Sequence, residues 1–179
     1  MLSLKKSSVI LRRCIKSCIS FWIFLFVLMV SGFDLVFAQN YISGCTAITS
    51  SGVYYLTTDI IDSTASTCID IQANNVVLDC QGRMIDGVDA SGSYGIRIYR
   101  SGIQDTNVTI RNCVIRDWYR GIYLYLASRN LIDNVTVNSN TDAGIYLGDS
   151  SSNNELRGVI ALGNFYGIYL LFISNNNLI

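Results

Sequence analysis

The chain of 179 residues contains no histidine, which removes the imidazole that copper sites and several sugar-hydrolase signatures depend on. Lysine is almost as scarce. Its three copies are Lys5, Lys6 and Lys16, so Asn40 to Ile179 carries eight arginines against eleven aspartates and one glutamate, a net charge of about −4. An acidic chain without lysine or a basic stripe argues against nucleic acid as partner. Also absent is any run of ten or more residues with a 3.6-residue apolar period, which excludes helical repeats.

What is present begins with a leader. Lys5, Lys6, Arg12, Arg13 and Lys16 precede an apolar run from Ile19 to Val30, Asp34 interrupts its continuation, and Val36-Phe37-Ala38 offers small side chains where a signal peptidase reads. Residues 1–38 are therefore expected to be a signal peptide cleaved after Ala38, giving a secreted or cell-surface product. The alternative is an uncleaved anchor, since Leu35 to Phe37 extends the apolar stretch; only through such a leader would the chain touch a membrane. Four cysteines follow the leader, Cys45, Cys68, Cys80 and Cys113, an even number in an exported chain and so a disulfide framework. Spacing leaves three connectivities open, of which Cys45 with Cys68 and Cys80 with Cys113 is preferred, and buried free thiols are the alternative.

The tetrapeptide GIYL occurs at Gly121, Gly144 and Gly167, with GIRI at Gly95 and CIDI at Cys68 in the same slot, at intervals of 26, 23 and 23 residues from Gly95 onward. A second segment recurs at Asn75 (NVVLDC), Asn107 (NVTIRN), Arg129 (RNLIDN) and Asn153 (NNELRG), and a third at Met84-Ile85, Val114-Ile115, Val135 to Val137 and Val159 to Ala161. Fixed periods of this size mean a solenoid, and alternation with β-branched and aromatic residues makes its segments strands. The fold class is all-β, a parallel β-helix of about four to five coils of 22–27 residues. Period 2 turns Ile69/Ile71, Ile96/Ile98, Ile122/Leu124, Ile145/Leu147 and Ile168/Leu170 inward and lines up Asp70, Arg97, Tyr123, Tyr146 and Tyr169 outside. Val76/Leu78, Val108/Ile110 and Asn130/Ile132 point inward on the next face. The recurring glycine predicts a corner needing positive φ or close backbone approach.

Two residues beyond those inward hydrophobes come Cys80, Asn112, Asn134 and Gly158, expected to form a corner with stacked asparagines. On this reading Asn134, the first residue of the sequon Asn134-Val135-Thr136, is interior and closed to glycosylation; Asn107, of Asn107-Val108-Thr109, lies at a bend and is the more accessible. Residues 39–66 lack the coil pattern and are expected to cap the first coil, with repeats over 67–179. The chain ends at Asn175-Asn176-Asn177-Leu178-Ile179, part-way through a coil, as expected of a fragment of a longer repeat protein.

With STCIDIQANNVVLDCQG from Ser66 to Gly82 and the later GIYL coils, the chain resembles the right-handed parallel β-helix repeat proteins over about Gly44 to the end. The resemblance extends to NosD-like copper-binding and to carbohydrate-binding and sugar-hydrolase β-helices, and implies the fold more specifically than any activity. Copper draws on His, Cys and Met. This chain offers after its leader no His, Met84 and the four cysteines, so no metal or other cofactor is expected.

The residues can be compared with three chemistries. The outward column of Arg97, Tyr123, Tyr146 and Tyr169 makes an amphipathic stripe on which the apolar faces of sugars could stack, or else simply a stable sheet of good β residues. Asn140-Thr141-Asp142 resembles part of the polygalacturonase-type signature, but the Asp-Asp pair and Gly-His-Gly are absent and Asp142 suits a turn. Lyase chemistry would direct attention to Asp79, Asp86 and Asp89 as calcium ligands, yet Asp86 to Ser93 reads more simply as a lengthened loop. The expectation is a non-catalytic surface module, binding polysaccharide or cell-envelope glycan or serving as scaffold. The alternative is the N-terminal part of a polysaccharide-active hydrolase or lyase whose catalytic coils lie further along a longer chain.

Overall fold

The computed structural model describes residues 39–99, 106–172 and 174–179; the expected signal peptide lies outside them. Fourteen strands are formed: β1 (Gln39–Ile42), β2 (Thr46–Ile48), β3 (Gly52–Leu56), β4 (Thr67–Ile71), β5 (Val76–Asp79), β6 (Met84–Asp86), β7 (Tyr94–Tyr99), β8 (Thr109–Arg116), β9 (Arg120–Tyr125), β10 (Leu131–Asn138), β11 (Ala143–Gly148), β12 (Glu155–Arg157), β13 (Ile160–Leu162) and β14 (Tyr166–Leu170). They stack into two parallel sheets. One runs β2, β4, β7, β9, β11, β14, and the other runs β1, β3, β5, β8, β10, β12, with β6 beside β8 and β13 beside β10. This is an all-β parallel solenoid of about five turns.

Register follows the repeat. Ile69, Ile96, Ile122, Ile145 and Ile168 pair rung by rung, as do Ile71, Ile98, Leu124, Leu147 and Leu170. Because the side-chain period of a strand is 2, these columns fall on one face, and through Leu147 they are almost wholly buried. Val76, Leu78, Val108, Ile110 and Ile132 meet them from the second sheet, with Trp118 filling the remaining corner. The segment read as a cap follows the coil's own path. β2 pairs with β4, β3 with β5 and Ile60 with Ile85, all parallel, and β1 adds a last strand beside β3.

The repeated glycine serves close approach rather than positive φ. A Cβ on Gly95 would lie 2.7 Å from the carbonyl oxygen of Gly121, one on Gly121 2.7 Å from that of Gly144, and one on Gly144 2.7 Å from that of Gly167. Each rung thus presses its backbone into space that any side chain would occupy.

The Asn134 corner departs from expectation. Asn112 and Asn134 adopt left-handed φ of 54° and 52° inside the long strands β8 and β10, and Asn134 is exposed, not interior. Between Ile132 and Val135, both buried, two consecutive residues face outward. The left-handed residue thus shifts the phase of the alternation by one, which is how β8 and β10 bend between two faces of the coil. Asn134 Nδ2 donates to Asn112 Oδ1 at 2.9 Å, and Asn112 Nδ2 to Asp79 Oδ1 at 3.0 Å, so the stacked corner exists on the outer surface.

Buried asparagines lie at other corners. Asn154 Oδ1 accepts from Asn130 N and Nδ2, both at 2.9 Å, and Asn130 Oδ1 in turn accepts from Val108 N at 2.8 Å. Asn140 repeats the pattern one corner on, accepting from Trp118 N and donating its own N–H and Nδ2 to Asn164 Oδ1. Each carboxamide replaces backbone partners that the coil loses where it turns, at positions almost wholly buried.

Both preferred disulfides form. Cys45–Cys68 and Cys80–Cys113 join adjacent windings with Cα separations of 4.3 and 4.9 Å. Neighbouring rungs lie about 4.8 Å apart, so Cys45 and Cys68, which continue the register of β2 with β4, and Cys80 and Cys113, one residue out of register at a corner, are already at bridging distance.

Candidate functional site

The outward column predicted from the repeat is in register: Asp70 pairs with Arg97, Arg97 with Tyr123, Tyr123 with Tyr146, and Tyr146 with Tyr169. Its rings are in continuous contact, with centroids 5.3 Å apart for Tyr123–Tyr146 and 5.2 Å for Tyr146–Tyr169. The wall is wider than one column. Tyr94 stacks on Tyr123 at 4.8 Å, Tyr166 stacks on Tyr169 at 4.7 Å, and Tyr125 touches both Tyr123 and Tyr99. Tyr125 and Tyr99 were legible in the sequence, since alternation carried one step past Tyr123 and Arg97 reaches them. Tyr94 and Tyr166 belong to no alternation read from GIYL and emerge only from the packing.

Tyr146 is the exception within the column, only 8% exposed. Its ring leans over Gly148, where a Cβ would meet Tyr146 Cε1 at 2.7 Å, and the Arg120 guanidinium covers it at 3.8 Å from the centroid. Tyr123, Tyr125 and Tyr169 are half-buried, and Tyr99 and Tyr166 are exposed. The available ring surface therefore lies to either side of Tyr146, which is itself a packed element of the wall.

Two arginines are set among the rings, each tied to an aspartate. Arg97 donates from Nε and Nη2 to Asp70 at 2.8 and 2.7 Å, and Arg120 Nε donates to Asp142 at 2.6 Å. Burial pushes the Asp70 carboxyl up, but the hydrogen bonds from Arg97 and Gln72 outweigh it and hold the group below its ordinary range. Burial also pushes the Tyr123 phenol up to about 12 and raises that of Tyr146. The hydrogen bond with Asp149 raises the Tyr125 phenol. These three rings stay neutral donors and acceptors at physiological pH, beside two internally compensated ion pairs. Next to Asp70 and Arg97 lies an open depression of about 480 Å³, lined also by Cys45, Ala47, Ser66 and Cys68.

Of the residues that hydrolase or lyase chemistry would use, Asp89 is exposed and Asn140, Asp142, Asp79 and Asp86 have structural partners. Asn140 is buried in the asparagine ladder, and Asp142 is held by Arg120. Asp79 accepts from Arg111 and Asn112, and Asp86 accepts from Arg116 at 3.2 and 3.0 Å. Asp79 also belongs to a second-sheet column, Asp79, Arg111, Asp133 and Arg157, in which charge alternates rung by rung. No group of three or more His, Cys, Asp or Glu side chains among the described residues is arranged to hold a metal ion. Nor is any helix among them long and apolar enough to cross a membrane. The two disulfides point to an oxidising compartment.

A family model described as "right handed beta helix region" matches residues 48–179. No curated protein and no solved structure matches the chain.

Proposed function

We infer a role from one premise: the chain belongs to the right-handed β-helix family. Enzymes and non-enzymes alike are built on β-helical folds, so function has to be read from the site. On that reading the tyrosine wall is a non-catalytic surface that binds a neutral polysaccharide, such as a cell-envelope glycan, on an exported protein. One observation carries it. The rings make an unbroken run along one outer face, and the two described arginines set among them, Arg97 and Arg120, are neutralised by Asp70 and Asp142. Such a surface offers apolar ring faces and phenol hydroxyls with little net charge, Asp149 beside Tyr125 adding a carboxylate at its margin, which suits sugar rings better than anionic or cationic partners. Glycoside hydrolysis instead needs two carboxyl groups free to act on one bond, whereas of the three carboxyls beside this wall Asp70 and Asp142 are each engaged by an arginine and Asp149 is hydrogen-bonded to Tyr125. Copper would draw on His, Cys and Met, and the four described cysteines are paired with one another.

Affinity electrophoresis through gels containing neutral polysaccharides tests this reading. The wild type is retarded by at least one of them, and Tyr123→Ala and Tyr169→Ala each relieve the retardation while keeping the wild-type circular dichroism. Equal mobility in every gel would leave a scaffold. Release of reducing sugar or unsaturated product from the same panel would replace the binding module with an enzyme.

A further inference from the structure

We propose that Asn134 is an N-glycosylation site, with a lipid-pyrophosphate-linked oligosaccharide as the donor. The inference is independent of the tyrosine wall. Asn134, Val135 and Thr136 form a sequon. The left-handed bend turns Asn134 outward, Val135 is buried, and Thr136 returns to the outer side of the strand between Val135 and Val137. Both residues that define the acceptor therefore face away from the core.

The corner has room for a glycan. Asn134 Nδ2 already donates one hydrogen to Asn112 Oδ1 at 2.9 Å, on the rung before it. On the rung after it the corner position is Gly158, where a Cβ would lie 3.5 Å from Asn134 N and Cα, so the next rung sets no side chain against Asn134 at that position. In the transfer, the bond between the sugar's C1 and the pyrophosphate oxygen breaks, a bond from C1 to Asn134 Nδ2 forms, one Nδ2 proton goes to base, and the lipid pyrophosphate leaves. The second Nδ2 hydrogen remains, so the modified side chain keeps its bond to Asn112. The other sequon is also exposed but sits in a polar recess. Asn107 donates to Asn75 at 2.7 Å and shares that recess with Asn74, Asn75 and Arg129, whose long side chain follows it on the next rung. The Asn134 bend lies within β10, in the sheet that does not carry the tyrosine wall.

The full chain, with its own leader, is expressed in a eukaryotic cell that performs N-glycosylation. Cell-associated and secreted pools are both digested with peptide N-glycosidase F in ¹⁸O-water. The expected result is a mobility shift in the wild type with the isotope label on residue 134, preserved in Asn107→Gln and abolished in both Asn134→Gln and Thr136→Val. The second variant keeps the Asn134 side chain and its hydrogen bond, so its loss of the shift reports the sequon and not the fold. No shift in either pool, or a shift abolished only by Asn107→Gln, overturns the proposal.

Discussion

Replacing Asn154 by leucine should damage this fold far more than removing the asparagine that sits on the surface. Asn154 is 1% exposed, and its carboxamide satisfies three groups: Asn130 N and Nδ2, both at 2.9 Å, and Ala127 O at 3.0 Å. Leucine has about the right volume and satisfies none of them. Leaving a buried polar group unpaired costs about 1–3 kcal/mol, so three of them amount to roughly 3–6 kcal/mol after allowance for non-additivity. The added apolar burial offsets about 1–2 kcal/mol of that, which leaves a net loss of about 1–5 kcal/mol against a total stability on the order of 5–15 kcal/mol. The comparison is Asn134→Gly, which loses one exposed hydrogen bond, keeps a residue at ease with φ of 52°, and should cost under about 1 kcal/mol. Urea titration of the unglycosylated, oxidised protein provides the assay, with midpoints compared at constant slope. If Asn154→Leu shifted the midpoint no further than Asn134→Gly, the buried ladder would not be what replaces the coil's missing backbone partners.

Three further outcomes follow from the same geometry. Acidification should destabilise the protein through Asp70 and Asp79, whose carboxyls are held below their ordinary value against the effect of burial, by hydrogen bonds from Arg97 and Gln72 and by partners including Asn112 and Arg111. A folded pKa below the unfolded one contributes stability that is fully present above about pH 4–5 and lost as pH falls through the folded pKa; Asp79→Asn should flatten this decline in thermal melts taken between pH 5 and 2, and an unchanged slope would contradict it. Gly148→Ala should drive the Tyr146 ring off its seat, seen in ultraviolet titration as one phenol ionising closer to its ordinary range, without altering the disulfides. Limited reduction should open Cys45–Cys68 before Cys80–Cys113, because Cys45 is exposed whereas Cys80 and Cys113 are buried; mass mapping of alkylated thiols would show the order, and the reverse order would refute it.

Much of the wall was legible because a strand's alternation survives stacking. Once the GIYL copies are superposed, Tyr123, Tyr146 and Tyr169 must share a face. What alternation could not supply was how much of each ring remains uncovered. Tyr146 disappears beneath Arg120, one winding away, because residue 148, two places further along its own strand, is glycine. The partnership of Arg120 with Asp142 likewise spans 22 residues and depends on register alone.

The amino-acid order by itself determined the solenoid and its inward columns, since a repeat of nearly constant length places equivalent residues one rung apart; it left three cysteine pairings open, and the winding decided among them. Tertiary structure decided which asparagines are buried. A single left-handed residue inside β8 or β10 advances the alternation by one, sending Asn134 to the surface, while Asn130, Asn140 and Asn154 are enclosed at turns whose direction depends on the winding beside them. Period 2 holds only while successive backbone conformations are alike, and at a corner they are not.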